Sequence, residues 1–157
     1  WPFPSDVYSI GRLDADSEGL LLFTNDNHLK TRLLDPEHGH ERTYHAQLDG
    51  QITPEAIRTL ELPMNLNIQG KSFLTRGCRA RLISPEWHPR TPPIRTRKNI
   101  PTSWIEITLC EGKNRQVRKM TAAIGHPTLR LIRVSMGSWH LDGLQPGCWN
   151  ELNLPGK

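Results

Sequence analysis

Neither a bilayer-crossing helix nor a disulfide framework fits these 157 residues. No apolar run approaches the ~20 residues that a membrane helix needs. Cys78, Cys110 and Cys148 are widely spaced and form no C-x-x-C pair, so a reducing cytoplasm is the expected compartment. Seven histidines supply no metal spacing, because His38 and His40 stand two apart without a partner motif. Structural zinc is not expected. G-x-S-x-G, H-E-x-x-H and G-x-G-x-x-G are all missing, and Gly112-Lys113 lacks the upstream glycine and the following Ser or Thr of a phosphate loop. Hydrolase and dinucleotide readings therefore have little support. The opening Trp1-Pro2-Phe3-Pro4 is neither the basic nor the apolar part of a secretory leader, and without an initiator Met it reads as the start of a trimmed chain.

Acids are scarce in one long stretch. Residues 76–133 hold only Glu86, Glu106 and Glu111 against 13 of the 20 Lys and Arg, so this segment is +10 while the remainder is −6. The overall charge of +4 conceals that asymmetry, which makes a polyanion the first partner to test. With 36% hydrophobic and 23% charged residues the chain is globular, and its length suits one domain or two small lobes.

Hydrophobic spacing predicts strands at Val7–Ile10, Leu20–Thr24 and Arg42–Leu48, near 66–69, 72–76 and 78–84, and at Ser103–Leu109, 129–134, Trp139–Leu141 and Cys148–Leu152. A helix should run from an Asn25-Asp26 cap through Leu34, a second from Thr53-Pro54, and a third from about Asn114 to Ile124, stopped by Gly125 and Pro127. Such a sequence of elements is α+β rather than repeated βαβ units. Between Ser84 and Pro101, five prolines make regular structure improbable.

Three constellations could carry chemistry. Asp14, Asp16 and Glu18 follow one another at two-residue intervals between Gly11 and Gly19, beside Arg12. Solvated turn formers, metal ligands, paired glycosidase-like acids or a single nucleophile would all fit that spacing. Arg115, Arg118 and Lys119 can share one face at the start of the third helix, where positive charge opposes the helix dipole and calls for a bound phosphate or a carboxylate. His88 to Lys98, carrying Arg90, Arg95, Arg97 and Lys98 beside Trp87, is either a solvated linker or a stiffened loop that tracks a phosphate backbone and stacks a base.

Gly11-Arg12-Leu13-Asp14-Ala15-Asp16-Ser17-Glu18-Gly19-Leu20-Leu21-Leu22-Phe23-Thr24-Asn25-Asp26 resembles the G-R-L-D-x-x-[ST]-x-G-L-L-x-x-T-N-[DN] signature of bacterial pseudouridine synthases of the RsuA type. Glu111 to Met120 resembles that family's second block, and Leu131-x-Arg133 with Met136-Gly137 its C-terminal block. Pro92-Pro93-Ile94-Arg95 and Ile100-Pro101-Thr102-Ser103-Trp104 look closest to the E branch of its large-subunit members.

The resemblance implies a catalytic core spanning 1–157, a bent, mainly antiparallel mixed sheet flanked by a few helices. It also implies isomerisation of a uridine in large-subunit ribosomal RNA, without cofactor or metal, by a cytoplasmic monomer. Asp14 matches the family's nucleophile, Tyr44 the aromatic that packs on the target uracil, and Arg118 the basic residue that pairs with the catalytic carboxylate. Arg12, Arg90, Arg95, Arg97, Lys98, Lys113, Arg115 and Lys119 are then the RNA-facing cations. In two respects the sequence departs from the pattern: it starts after the family's leading strand with a Lys-Pro pair, and Asn150 stands where Arg is common; the missing S4 domain of many relatives is what the E branch or a truncated chain leads one to expect. An RNA-binding module of the same fold without turnover is the rival; a glycosidase would leave the basic segment idle.

Overall fold

The computed structural model describes residues 3–94, 97 and 99–152, so Arg95 and Lys98 lie outside the described residues. Among these the elements follow as β1 (Tyr8–Ser9), β2 (Glu18–Gly19), β3 (Phe23–Thr24), α1 (Asn27–Leu34), β4 (Arg42–Asp49), α2 (Pro54–Glu61), β5 (Asn65–Ile68), β6 (Lys71–Leu74), β7 (Arg79–Ile83), β8 (Thr102–Leu109), α3 (Gln116–Ala123), β9 (Thr128–Met136) and β10 (Trp139–His140). The fold is α+β. A six-stranded sheet has the order β10-β9-β4-β8-β7, with β2 added to β9 as its one parallel pairing. Two small antiparallel pairs, β1 with β3 and β5 with β6, stand beside it.

Period-two patterning gives the sheet one dry face. In β8, Ser103, Ile105, Ile107 and Leu109 are buried while Thr102, Trp104, Glu106 and Thr108 are only partly covered. On the dry face Ile105 and Ile107 pack with Ala46 and Leu48 of β4, Leu131 of β9, Leu60 of α2, and Val117 and Met120 of α3. On the opposite face the central strands interlock through polar pairs, Thr43 with Thr108 and Gln47 with Thr102. A second cluster of Ile10, Leu20, Leu22, Leu29, Leu33 and Met136 fastens the N-terminal segment to β9.

Local signals set the helix starts. Asp26 accepts from the backbone N–H of His28 and Leu29 at 2.8 and 3.0 Å, and Thr53 accepts from Ala56 ahead of Pro54. At α3 the expectation shifts: Arg115 lies outside the helix as its N-cap, in the left-handed region with φ 51° and no side-chain cap. β5 and β6 are a two-residue hairpin, because Gln69 and Gly70 both have positive φ, as a type I′ turn requires.

Two expected strands differ. In the 20–24 run only Phe23 and Thr24 are strand, since Leu20 and Leu22 turn inward as anchors and the Leu20 N–H donates to the Arg133 carbonyl. Cys148 to Leu152 is not a strand, because Asp142, Gly143 and Gly147 all take positive φ and break the meander. Trp149 instead sets its ring edge-on to Phe3 at 5.4 Å. No helix among the described residues is long and apolar enough to cross a membrane.

Gly19 fixes how closely the acidic loop approaches the sheet. Its φ is +104°, and a Cβ there would overlap the backbone O, N and C of Arg133. Gly19→Ala is expected to destabilise the protein by about 3 kcal/mol, read as a lower midpoint in urea unfolding, because the clash is with backbone that cannot swing away.

Candidate active site

The loop from Gly11 to Gly19 is tied at both ends before any charged group acts. Ile10 donates its N–H to the Leu22 carbonyl at 2.7 Å, Leu20 to that of Arg133 at 2.8 Å, and Ser17 closes a turn onto the Asp14 carbonyl at 2.9 Å. The three carboxylates it presents are treated unequally. Asp16 is gripped by Arg115, whose Nη1 and Nη2 donate to Oδ1 and Oδ2 at 2.8 and 2.9 Å. Glu18 is gripped by Arg130, whose Nε and Nη2 donate to Oε1 and Oε2 at 3.0 and 2.8 Å. Among the described residues Asp14 has one ion-pair partner, Arg115 Nη1 at 3.8 Å, and its side chain is 30% exposed.

Arg118 does not form its ion pair with Asp14, as the motif had suggested. Its Nη2 donates to the Asp16 carbonyl at 2.8 Å and to Ser17 Oγ at 3.3 Å, and lies 3.4 Å from Asp16 Oδ2. Arg118 thus holds the turn that carries Asp14 rather than the carboxylate itself, although the nearby Asp14 charge also favours the cation. Its side chain is 10% exposed, its Nε has no partner, and burial pushes the guanidinium below its ordinary pKa. The hydrogen bond to Arg115 holds the Asp16 carboxyl below the usual carboxylate range and raises Arg115 in turn.

Two residues of the second block prove architectural. Glu111 is buried and accepts from the Arg76 N–H at 3.0 Å and from Gln116 Nε2, while Gln116 Oε1 accepts from the Lys113 N–H at 3.0 Å. This lock shapes the turn leading into α3, so that Arg115 points back at the acidic loop. A buried carboxylate in a basic motif was the available signal.

Tyr44 sits on β4 directly opposite Arg133 of β9 and Ile107 of β8, packed against the core. Arg133, 4% exposed, was not among the expected site residues. Its Nε donates to the Leu20 carbonyl at 2.8 Å, and Tyr44 favours its charged form against the burial that lowers its pKa. The guanidinium therefore links the aromatic to the end of the acidic loop. A charged residue in register with the aromatic was the signal, visible only once the strands were paired.

The remaining basic residues are less free than composition implied. Lys119 Nζ donates to the Asn67 carbonyl and Lys113 Nζ stands 5.0 Å from the Phe73 ring centroid, so both lean on the β5–β6 hairpin. Arg90 Nε lies 3.5 Å from Glu18 Oε1, and Arg97 Nε 3.8 Å from Asp49 Oδ2. Arg12 is exposed on the acidic loop. Trp87, beside the loop left open between a solvated linker and a base-stacking segment, donates its indole N–H to His45 Nδ1 at 3.1 Å, edge-on to that ring. Its N–H is therefore engaged within the protein. No group of three His, Cys, Asp or Glu among the described residues is arranged to hold a metal ion.

Residues 3–123 match the family described as RNA pseudouridylate synthase. The ribosomal large subunit pseudouridine synthase E of Xanthomonas axonopodis pv. citri is 49% identical over 91% of this chain and 74% of its own length. The protein of the same name from Vibrio vulnificus is 46% identical over 96% of this chain and 63% of its own. A solved structure titled "Crystal structure of pseudouridylate synthase" superposes with a TM-score of 0.71 at 25% identity, covering 90% of this chain and 54% of that one. An acidic loop braced by arginines, a match to one family over most of its length and relatives at nearly half identity make this chain a member of the RNA pseudouridylate synthases, which are isomerases.

Proposed function

We propose that this chain converts a specific uridine of large-subunit ribosomal RNA to pseudouridine, with Asp14 as nucleophile and Tyr44 against the target base. The relatives named for the large ribosomal subunit support the substrate class. The unequal holding of the three carboxylates carries the residue assignment. Asp16 and Glu18 each have both oxygens hydrogen-bonded to one guanidinium, whereas Asp14 is only loosely approached by Arg115 at 3.8 Å. A nucleophile needs an oxygen that can leave its partner at little cost on a fixed backbone, and of the three carboxylates Asp14 is the least tightly held.

The reaction breaks the bond between N1 and C1′, forms one between C5 and C1′, and moves a proton from C5 to N1. Atoms and electrons balance without an oxidant. An ionised Asp14 serves addition at C6, attack at C1′ or assistance to departure of the base. Turning the base requires leaving the stack, which costs a few kcal/mol, and contact with an aromatic such as Tyr44 returns ~1–3 kcal/mol. Arg118 orients the Asp14 turn through Asp16 and Ser17, and Arg115 balances both aspartates. Arg12, Lys113 and Lys119 then face the RNA backbone as a single catalytic core working as a cytoplasmic monomer.

Asp14→Asn should abolish tritium release from [5-³H]uridine-labelled large-subunit rRNA while RNA affinity changes by less than about threefold, since the side chain acts on the reaction rather than on docking. Turnover that persists would remove Asp14 as nucleophile; a wild type that binds RNA without releasing tritium would leave only the binding module. Asp16→Asn should instead slow turnover and lower stability by about 1 kcal/mol or less, the anchor being 43% exposed and screened by water. Asp16 has a depressed folded pKa, so its contribution is whole above the ordinary aspartate value and is lost as pH falls through the depressed one. The stability gap between wild type and Asp16→Asn, measured by urea unfolding, should therefore be constant above about pH 5 and narrow progressively as pH falls below the ordinary aspartate value.

A further inference from the structure

Arg130 belongs to no role assigned so far. Its side chain is 10% exposed, yet every arm of the guanidinium is used. Nε and Nη2 hold Glu18, and Nη1 donates to the His88 carbonyl at 2.8 Å. Glu18 is four residues from Asp14 and is also approached by Arg90 at 3.5 Å. Trp87 fastens the same proline-rich segment to His45 on β4. Residues 87–90 and the nucleophile loop thus meet on one buried cation, and neither can move at that point without displacing it.

The geometry points to Arg130 as a positioning residue that couples occupation of the 87–90 segment by an RNA phosphodiester to the placement of Asp14. The coupling rests on the proposed reaction for its catalytic consequence, but not for its existence. Arg90 is the receiving end, because its side chain is 23% exposed and its 3.5 Å approach to Glu18 is long enough to yield to a phosphate. When Arg90 turns to phosphate, Glu18 loses one cation and is held by Arg130 alone. The planar fork transmits the change because two parallel hydrogen bonds fix orientation as well as distance. Lysine could keep the charge without that constraint.

The test uses wild type, Arg130→Met, Arg130→Lys and Arg90→Ala with [5-³H]uridine-labelled large-subunit rRNA transcript. Single-turnover tritium release at saturating RNA reads placement of the nucleophile, filter binding reads affinity, and hydrogen exchange reads the two segments. Arg130→Met should slow release on the order of 10²-fold, the cost of a misplaced reacting group, with Kd changed less than about threefold. Arg130→Lys should be slowed as well. Arg90→Ala should lower rate and affinity in wild type but only affinity in Arg130→Met, a dependence that a merely structural staple would not show. Added RNA should slow exchange at both 12–19 and 85–94 in wild type, and only at 85–94 in the Arg130→Met protein. If β8 also exchanges faster in Arg130→Met, Arg130→Lys is read in its place. Loss of affinity at unchanged saturating rate would make Arg130 a phosphate contact and overturn the proposal, as would RNA protection of 12–19 that survives without Arg130. Should wild type bind rRNA and release no tritium, the reaction assigned above fails, and the exchange comparison still decides whether Arg130 couples the segments.

Discussion

Pairing between guanidinium groups and carboxylates far apart in the chain is the interaction on which the rest of this structure depends. Asp16 meets Arg115 and Glu18 meets Arg130 across separations of 99 and 112 residues, while Glu41 holds Arg79 bidentately on the sheet. Exposed pairs such as Glu41–Arg79 stabilise by ~0–1 kcal/mol each, so they are not what keeps the chain folded. That task falls to the apolar clusters on either side of β9. The arginine forks add direction, since a planar donor pair fixes how the acidic loop sits, and buried cations such as Arg118 and Arg130 would be costly without their acceptors.

Direction matters because the proposed nucleophile, Asp14, is carried by a loop. Backbone ties at Ile10 and Leu20 set where that loop begins and ends, and the arginines set its course between. Asp14 then stands on a braced backbone with its carboxylate uncommitted. Glu111 and Gln116 stand behind α3 in the same way: they touch neither Asp14 nor Tyr44, yet they shape the turn from which Arg115 projects.

Much of this was legible in the sequence, and the failures share a cause. The α+β order, the caps at Asp26 and Thr53, the alternation in β8 and the acidic loop all rest on local chemistry, and local chemistry is what a sequence displays. The shape of the 20–24 run was not legible, because Leu20 and Leu22 answer to Met136 and the Arg133 backbone rather than to their neighbours. Arg118 was correctly placed on α3 but paired with the wrong member of the loop, since two-residue spacing does not tell which carboxylate a distant guanidinium reaches. The Trp87 N–H bond to His45 was not legible either, because its partner lies 42 residues away. Arg130 read as an ordinary polar position of a strand, and Arg133 as a motif residue without a role, until pairing buried them.

The internal neutralisation of so many cations bears on how this surface meets a nucleic acid. Nonspecific adhesion to a phosphate backbone is driven by release of condensed counterions, one for each phosphate that a free cation neutralises. Arg79, Arg81, Arg115 and Arg130 already sit on carboxylates of their own fold, and so they have little such release to offer. On the proposed function, the counterion release would come from the other cations of the chain, and the rest of the affinity from the shape of the partner and from bases that can be splayed into contact. These four arginines are committed to the geometry of the fold before any partner arrives.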